Sequence, residues 1–196
     1  IMLSEAENDE SLITCRIEGS AYAGKEDISR YLKYKKVFDH PEMSNAEVSV
    51  AYKVNNRANN INEMAHTDIW VYFPTRDSTD LPFLIHGSFE TAVSREKLMT
   101  PSAFNDALFD ELGNLIVESL KDLKNRKMIT QVFIRRVLIA AFKDEESNHT
   151  VPRLKEKVSE RFKQGGYLPD REGVYRTAED VVIAVPFGIA HYFDNR

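Results

Sequence analysis

The chain has 196 residues, 42% of them hydrophobic and 29% charged, with a formal net charge of -5. That is enough apolar material for a core without covalent staples, and too much for a disordered or fibrous chain. The single cysteine, Cys15, excludes an intramolecular disulfide and a cysteine-built zinc site, and the acidic balance argues against a general nucleic-acid surface.

The chain opens Ile1-Met2 rather than on methionine, as expected for a piece of a longer polypeptide. Residues 1–10 are acidic and aperiodic and read as a linker or frayed end. Leu12–Glu18 alternates as a strand does, and Gly19 and Gly24 bracket a turn. Tyr31–Phe38, apolar with lysines between, suits a short strand, with a helix as the alternative. Glu47–Val54 gives the cleanest strand signal, with Val48, Val50, Tyr52 and Val54 on one face. A polar loop follows at 55–60. Ile69–Phe73 is an unbroken apolar run, expected to be buried on both faces, and Pro74 stops it. Thr75–Asp80 reads as polar turn material and Leu81–His86 as a second apolar run, so 69–86 is expected to form a hairpin. Pro82 then belongs at a strand start or an edge.

After Gly87 the period changes from two to about three and a half. Thr100-Pro101 reads as an N-cap followed by proline at the first helical position. Phe104, Leu108, Leu112, Leu115, Leu120 and Leu123 mark an amphipathic helix of about six turns, its end carrying Lys121, Lys124 and Arg126. Thr130 is expected to cap a second, largely apolar helix over 131–142. The acidic stretch Asp144–Ser147 is a loop. A third helix follows Pro152, with Leu154, Val158 and Phe162 inward, and Gly165-Gly166 is expected to end it in the left-handed conformation. A turn at 170–173 and short strands at 174–177 and 181–185 close the chain. Strands first and helices after predict an α+β fold: a mostly antiparallel sheet with helices on one face, plus a small C-terminal helix-and-strand appendage. The expected units are 1–143 and 150–196, the second packed on the first.

Several chemistries have no carrier. The sequence lacks a phosphate loop, a dinucleotide glycine fingerprint and a nucleophile elbow. The histidines show no metal-ligand spacing, so no metal site is expected. The basic clusters Lys33/Lys35/Lys36 and Lys124/Arg126/Lys127 read as solvated surface. No apolar run reaches the roughly 18 residues of a membrane span and no leader pattern is seen, so an intracellular, cytoplasmic protein with no membrane partner is expected.

One constellation stands out: Trp70-Val71-Tyr72-Phe73-Pro74-Thr75, then Leu81–Phe89, then Ser94-Arg95-Glu96. Buried strands here deliver a glycine-containing loop and an arginine just before a helix. A rigidly mounted guanidinium is a planar, permanently charged phosphate ligand. The plainer alternative is an exposed arginine paired locally with Glu96.

These residues resemble the Hsp90-like (GHKL) ATPases of the sacsin and plant NO VEIN type and their bacterial relatives. There a strand ending in Tyr-Phe-Pro-Thr, here Tyr72–Thr75, precedes a Leu-Pro-Phe-Leu-Ile-His-Gly-x-Phe strand, here Leu81–Phe89, and then Ser-Arg, here Ser94-Arg95. Tyr167–Gly173 looks like the Leu-Pro-Thr-x-x-Gly-Gly turn of the same proteins, without its second glycine. The resemblance spans about residues 30–175, with its specific motifs at 70–95. It implies the segment that follows the nucleotide-binding domain, because the Glu-x-x-x-Asn and Asp-x-Gly-x-Gly boxes of that domain are missing; Glu111–Asn114 has the wrong spacing. It implies no cofactor in this chain, with ATP and Mg held in the parent. The implied partners are the N-terminal nucleotide-binding domain of the same polypeptide and a protein client. Arg95 is the candidate γ-phosphate contact, with Phe73, Pro74, Thr75, His86, Gly87, Phe89 and Ser94 as the motif and loop residues that present it. Two other readings stand beside this one. The first is a protein-interaction module carried by the 131–142 helix and the outer side of the 101–124 helix. The second is a self-contained enzyme using His66, His86 or Cys15 with a carboxylate neighbour such as Asp68 or Glu90.

Overall fold

The computed structural model describes residues 2–6, 9–17, 27–62, 64, 67–79, 81–134, 137, 154, 158, 165–170, 172–177 and 180; up to residue 28 this is the backbone path alone. Its centre is a seven-stranded sheet of β1 (Met2–Ala6), β2 (Asp9–Ile17), β3 (Asp27–His40), β4 (Met43–Val54), β5 (Asp68–Trp70), β6 (Pro74–Ser78) and β7 (Leu84–Gly87). The order is β1-β2-β3-β4-β7-β5-β6, antiparallel throughout except for the β5–β7 pair. Helix α1 (Ala103–Asn125) lies across β3 and β4. This is the α+β arrangement expected from the sequence.

β4 follows its alternation: Ala46, Val48, Val50, Tyr52 and Val54 are all buried. α1 answers with Phe104, Leu108, Leu112, Ile116 and Leu120, an unbroken line four residues apart. The Tyr52 ring sits 4.9 Å from that of Phe83 and 5.9 Å from that of Phe133, so the second helical segment (131–134, with Val137) joins the same face. Thr130 caps that segment as expected, its Oγ1 accepting from the Phe133 N–H at 3.1 Å. Leu154 and Val158 are helical and buried. The rest of the expected third helix, residues 138–150 and the 181–185 strand lie outside the described residues.

The first correction concerns the described part of residues 1–10: Met2–Ala6, Asp9 and Glu10 are strand rather than linker or frayed end. Met2–Ala6 pairs with β2 at the edge of the sheet, a place set by main-chain hydrogen bonds to one neighbour rather than by an apolar period. The predicted short strand at 31–38 is the middle of fourteen residues of β3.

The largest correction is at 69–86. Ile69 and Val71 are buried, but Trp70 is 37% and Tyr72 81% exposed, so the apolar run is buried on one face only. The tight turn comes at 71–73, where the Val71 N–H donates to the Phe73 carbonyl. Pro74 opens β6 instead of ending a strand, on an edge that asks nothing of its missing N–H. β7 then enters between β4 and β5, parallel to β5, so 69–86 is not a hairpin. Composition misleads at 75–80 because the inward residues of β6 are polar and satisfied. Thr75 Oγ1 donates to the Ile69 carbonyl at 2.9 Å, and buried Asp77 accepts from the Leu98 N–H at 2.6 Å.

α1 starts two residues later than expected. Its cap is Ser102, whose Oγ accepts from the Asn105 N–H at 3.0 Å, rather than Thr100. Its end is a Schellman turn: Met128 N–H reaches the Leu123 carbonyl and Lys127 N–H the Lys124 carbonyl, with Lys127 at φ 57°. Lys124 does more than face the dipole. Its ammonium lies 5.4 Å from the ring centre of Tyr175 and 5.8 Å from that of Tyr167. Those rings flank a small hairpin, β8 (Leu168–Pro169) with β9 (Tyr175–Arg176), whose turn is tied by Asp170 Oδ1 to the N–H groups of Glu172 and Val174. Gly173, at φ 78°, supplies the left-handed residue; Gly166 does not adopt it.

Candidate functional site

The resemblance motif is one stretch of sequence, but the fold divides it among three tasks. Thr75, Gly87 and Phe89 are packing residues. Phe89 is buried with its ring 4.7 Å from that of Phe109 on α1. A Cβ on Gly87 would stand 2.6 Å from that ring, so glycine is needed here for close approach rather than for its backbone freedom. Phe73 is half-buried in the 71–73 turn and Pro74 is exposed beside it.

His86 belongs to the sheet face turned away from α1. Register aligns Lys35, Ser49, His86 and Trp70 across four strands on that face. The His86 ring meets Tyr72 edge-on at 5.9 Å. Burial holds the His86 pKa below its ordinary value, against the pull of Glu47 and with the help of Lys33 and Lys35. Its Nδ1 is 3.5 Å from Ser49 Oγ and 4.0 Å from Glu47 Oε1. Serine and carboxylate thus approach the same nitrogen, which is no geometry for passing a proton from one to the other.

Ser94 and Arg95 lie on a closed loop over 90–99, between β7 and α1. Met99 N–H donates to the Glu90 carbonyl, Thr91 and Leu98 form a bridge, and Ala92 N–H reaches the Lys97 carbonyl. Arg95 sits at the tip, its N–H on the Ala92 carbonyl at 2.8 Å and its φ at 60°. Ser94 Oγ accepts from the Glu96 N–H.

Two elements hold this loop. From β6, Arg76 N–H donates to the Glu96 carbonyl at 2.6 Å and its guanidinium pairs with the Glu96 carboxylate at 2.9 Å; Asp77 takes the Leu98 N–H, as above. From α1, the buried Asn105 side chain accepts from the Glu90 N–H at 2.8 Å and donates to the carbonyls of Glu90 and Met99 at 3.0 Å each. Ser102 Oγ adds a bond to the Glu90 carboxylate at 2.8 Å. Glu96 is therefore committed to Arg76, and the local Arg95–Glu96 pair is not formed. Arg95 is exposed, with no side-chain hydrogen bond or ion pair to a described residue.

The carboxylate beside His86 is Glu47 rather than Asp68 or Glu90, and Glu90 is engaged by Ser102. Cys15 lies on β2, but its side chain and all of His66 fall outside the described residues. Of the 131–142 helix named by the interaction-module alternative, Phe133, Ile134 and Val137 are buried, Gln131 and Val132 are exposed, and 135–136 and 138–142 lie outside the described residues. The basic clusters are largely committed: Lys35 pairs with Glu47 at 2.7 Å, Lys36 with Glu111 at 2.5 Å and Arg126 with Asp122 at 2.6 Å. Among the described residues no group of His, Cys, Asp or Glu is arranged to hold a metal ion. No described helix is long and apolar enough to cross a membrane.

Asn105 and Asp77 are the site residues that sequence reasoning missed. A signal for the first existed: Ser102-x-x-Asn105 has capping-box spacing, but proline at 101 directs attention to Thr100. Asp77 carries no such mark, being one of several polar residues in a run that reads as a turn. The chain matches no family model, no curated protein and no solved structure.

Proposed function

We propose that this chain is the middle, or transducer, module of a larger Hsp90-like ATPase, binding no nucleotide itself and coupling closure over ATP to conformational change. Its partner is the N-terminal nucleotide-binding domain of the same polypeptide, which holds ATP and Mg. The observation that carries the proposal is Arg95: an exposed guanidinium without a described partner, on a loop tied at its base to α1 and along its flank to β6. Such a group is free to meet a phosphate, and its mount limits the ordering that contact requires. The motif Tyr72–Thr75, Leu81–Phe89, Ser94-Arg95 supports the family placement. The test is Arg95→Ala in the full-length protein, followed by steady-state ATP turnover. Turnover is expected to fall about 10²-fold or more with nucleotide affinity little changed. Unchanged turnover sinks the proposal.

A second reading, a protein-interaction module with no part in catalysis, is favoured by Trp70 and Tyr72, both exposed beside His86 on the sheet face away from α1. Under it, Arg95→Ala is silent in turnover, and Trp70→Ser with Tyr72→Ser weakens association with a protein client.

A further inference from the structure

Asn105 stands in an unusual position for a buried polar side chain. It is 3% exposed in the first turn of α1, and its amide is spent on main-chain groups at both ends of one loop. Its oxygen accepts from the Glu90 N–H, and its nitrogen donates to the carbonyls of Glu90 and Met99. An amide is suited to this task because it offers an acceptor and two donors on one planar group. Its own N–H is taken by Ser102, which also binds the Glu90 carboxylate, so Glu90 is gripped through N–H, carbonyl and side chain together. Arg95 lies at the other end of the same loop. Its strained φ of 60° is maintained by the Ala92 and Lys97 hydrogen bonds that the closed base makes possible.

We propose that Asn105 is a positioning residue for Arg95, locking the base of the 90–99 loop to the N-terminal turn of α1 so that helix and arginine move as one body. This rests on the reading of Arg95 as a phosphate contact. A displacement of about 1 Å at such a contact can cost on the order of 10²-fold in rate, so a loosened base is felt at the tip. The contact is made in turnover rather than in nucleotide capture, so the loss falls on kcat and not on KM.

The test is a double-mutant cycle in the full-length protein: wild type, Asn105→Ala, Arg95→Ala and the double variant, with kcat and KM for Mg-ATP measured for each. Asn105→Ala is expected to lower kcat about 10-fold with KM within about twofold, and to have no further effect once Arg95 is alanine. Equal losses with and without Arg95 would mean a merely structural role and overturn the proposal, as would an unchanged kcat in Asn105→Ala. If alanine prevents folding, Asn105→Asp carries the same cycle; it keeps the side-chain size and the acceptor for Glu90 N–H but loses both donated bonds. A second readout is amide exchange at Glu90, Leu98 and Met99. It is expected to speed up by about 10-fold or more in the variant while the middle of α1 is unaffected; unchanged exchange at these amides refutes the lock. An Arg95→Ala variant with normal turnover would instead remove the parent reading, and the exchange result would then report on the lock separately.

Discussion

Arg95 takes φ 60° at the tip of a tight loop, a conformation in which an ordinary L-residue loses roughly 1–2 kcal/mol and glycine does not. Against that, glycine costs about 0.5–1 kcal/mol in added freedom of the unfolded chain. Arg95→Gly is therefore expected to stabilise the protein by about 0.5–1 kcal/mol, visible as a raised urea midpoint. Arg95→Ala keeps the strained φ and is expected to leave the midpoint in place. A glycine variant that is more stable and yet poorer in turnover would carry the signature of strain retained for function. A glycine variant that is less stable would mean that the arginine side chain makes a stabilising contact of its own.

The elements meet through few but specific ties. β4 and α1 share an apolar seam, and at its middle the Tyr52 hydroxyl stands 2.7 Å from Ser119 Oγ. Ser119 gives its own proton to the Ile116 carbonyl at 2.7 Å, so Tyr52 must be the donor of the pair. Tyr52→Phe removes that donor and leaves the ring in place among Phe83 and Phe133. A loss of about 1 kcal/mol is expected, measured by chemical denaturation, with the fold unchanged. A loss of several kcal/mol would mean that the hydroxyl organises the seam. On β3, burial and then the Asp122 hydrogen bond push the Tyr34 pKa well up, so this phenol stays a donor and ties the far end of α1 to the sheet. The helix is thus fastened to the sheet along its length and to the Arg95 loop at its first turn.

For the molecule as a whole, the proposal makes the chain half of a site. Calorimetric titration of this chain alone with Mg-ATP is expected to show no binding at millimolar nucleotide; micromolar binding would reveal a self-sufficient site and remove the transducer reading. Much of the scaffold was legible beforehand because local rules determine it. The alternation of Val48, Val50, Tyr52 and Val54 specifies a one-sided strand, and the leucine spacing over 104–123 specifies a one-sided helix. Composition alone also determined that the chain builds a core without disulfides. What the tertiary structure decided is everything that depends on which neighbour a strand finds. β7 slips between β4 and β5, which no local period encodes, and with it the expected hairpin becomes a parallel pair. Polar β6 is a strand because Asp77 and Thr75 find buried main-chain partners, and Trp70 and Tyr72 are exposed because they lie on the sheet face away from α1, the described helix that covers β3 and β4. Arg95 could be singled out by residue type and motif. That Glu96 is held by Arg76, and that Asn105 closes the loop beneath the arginine, are long-range hydrogen-bond choices made only when β6, the loop and α1 come together.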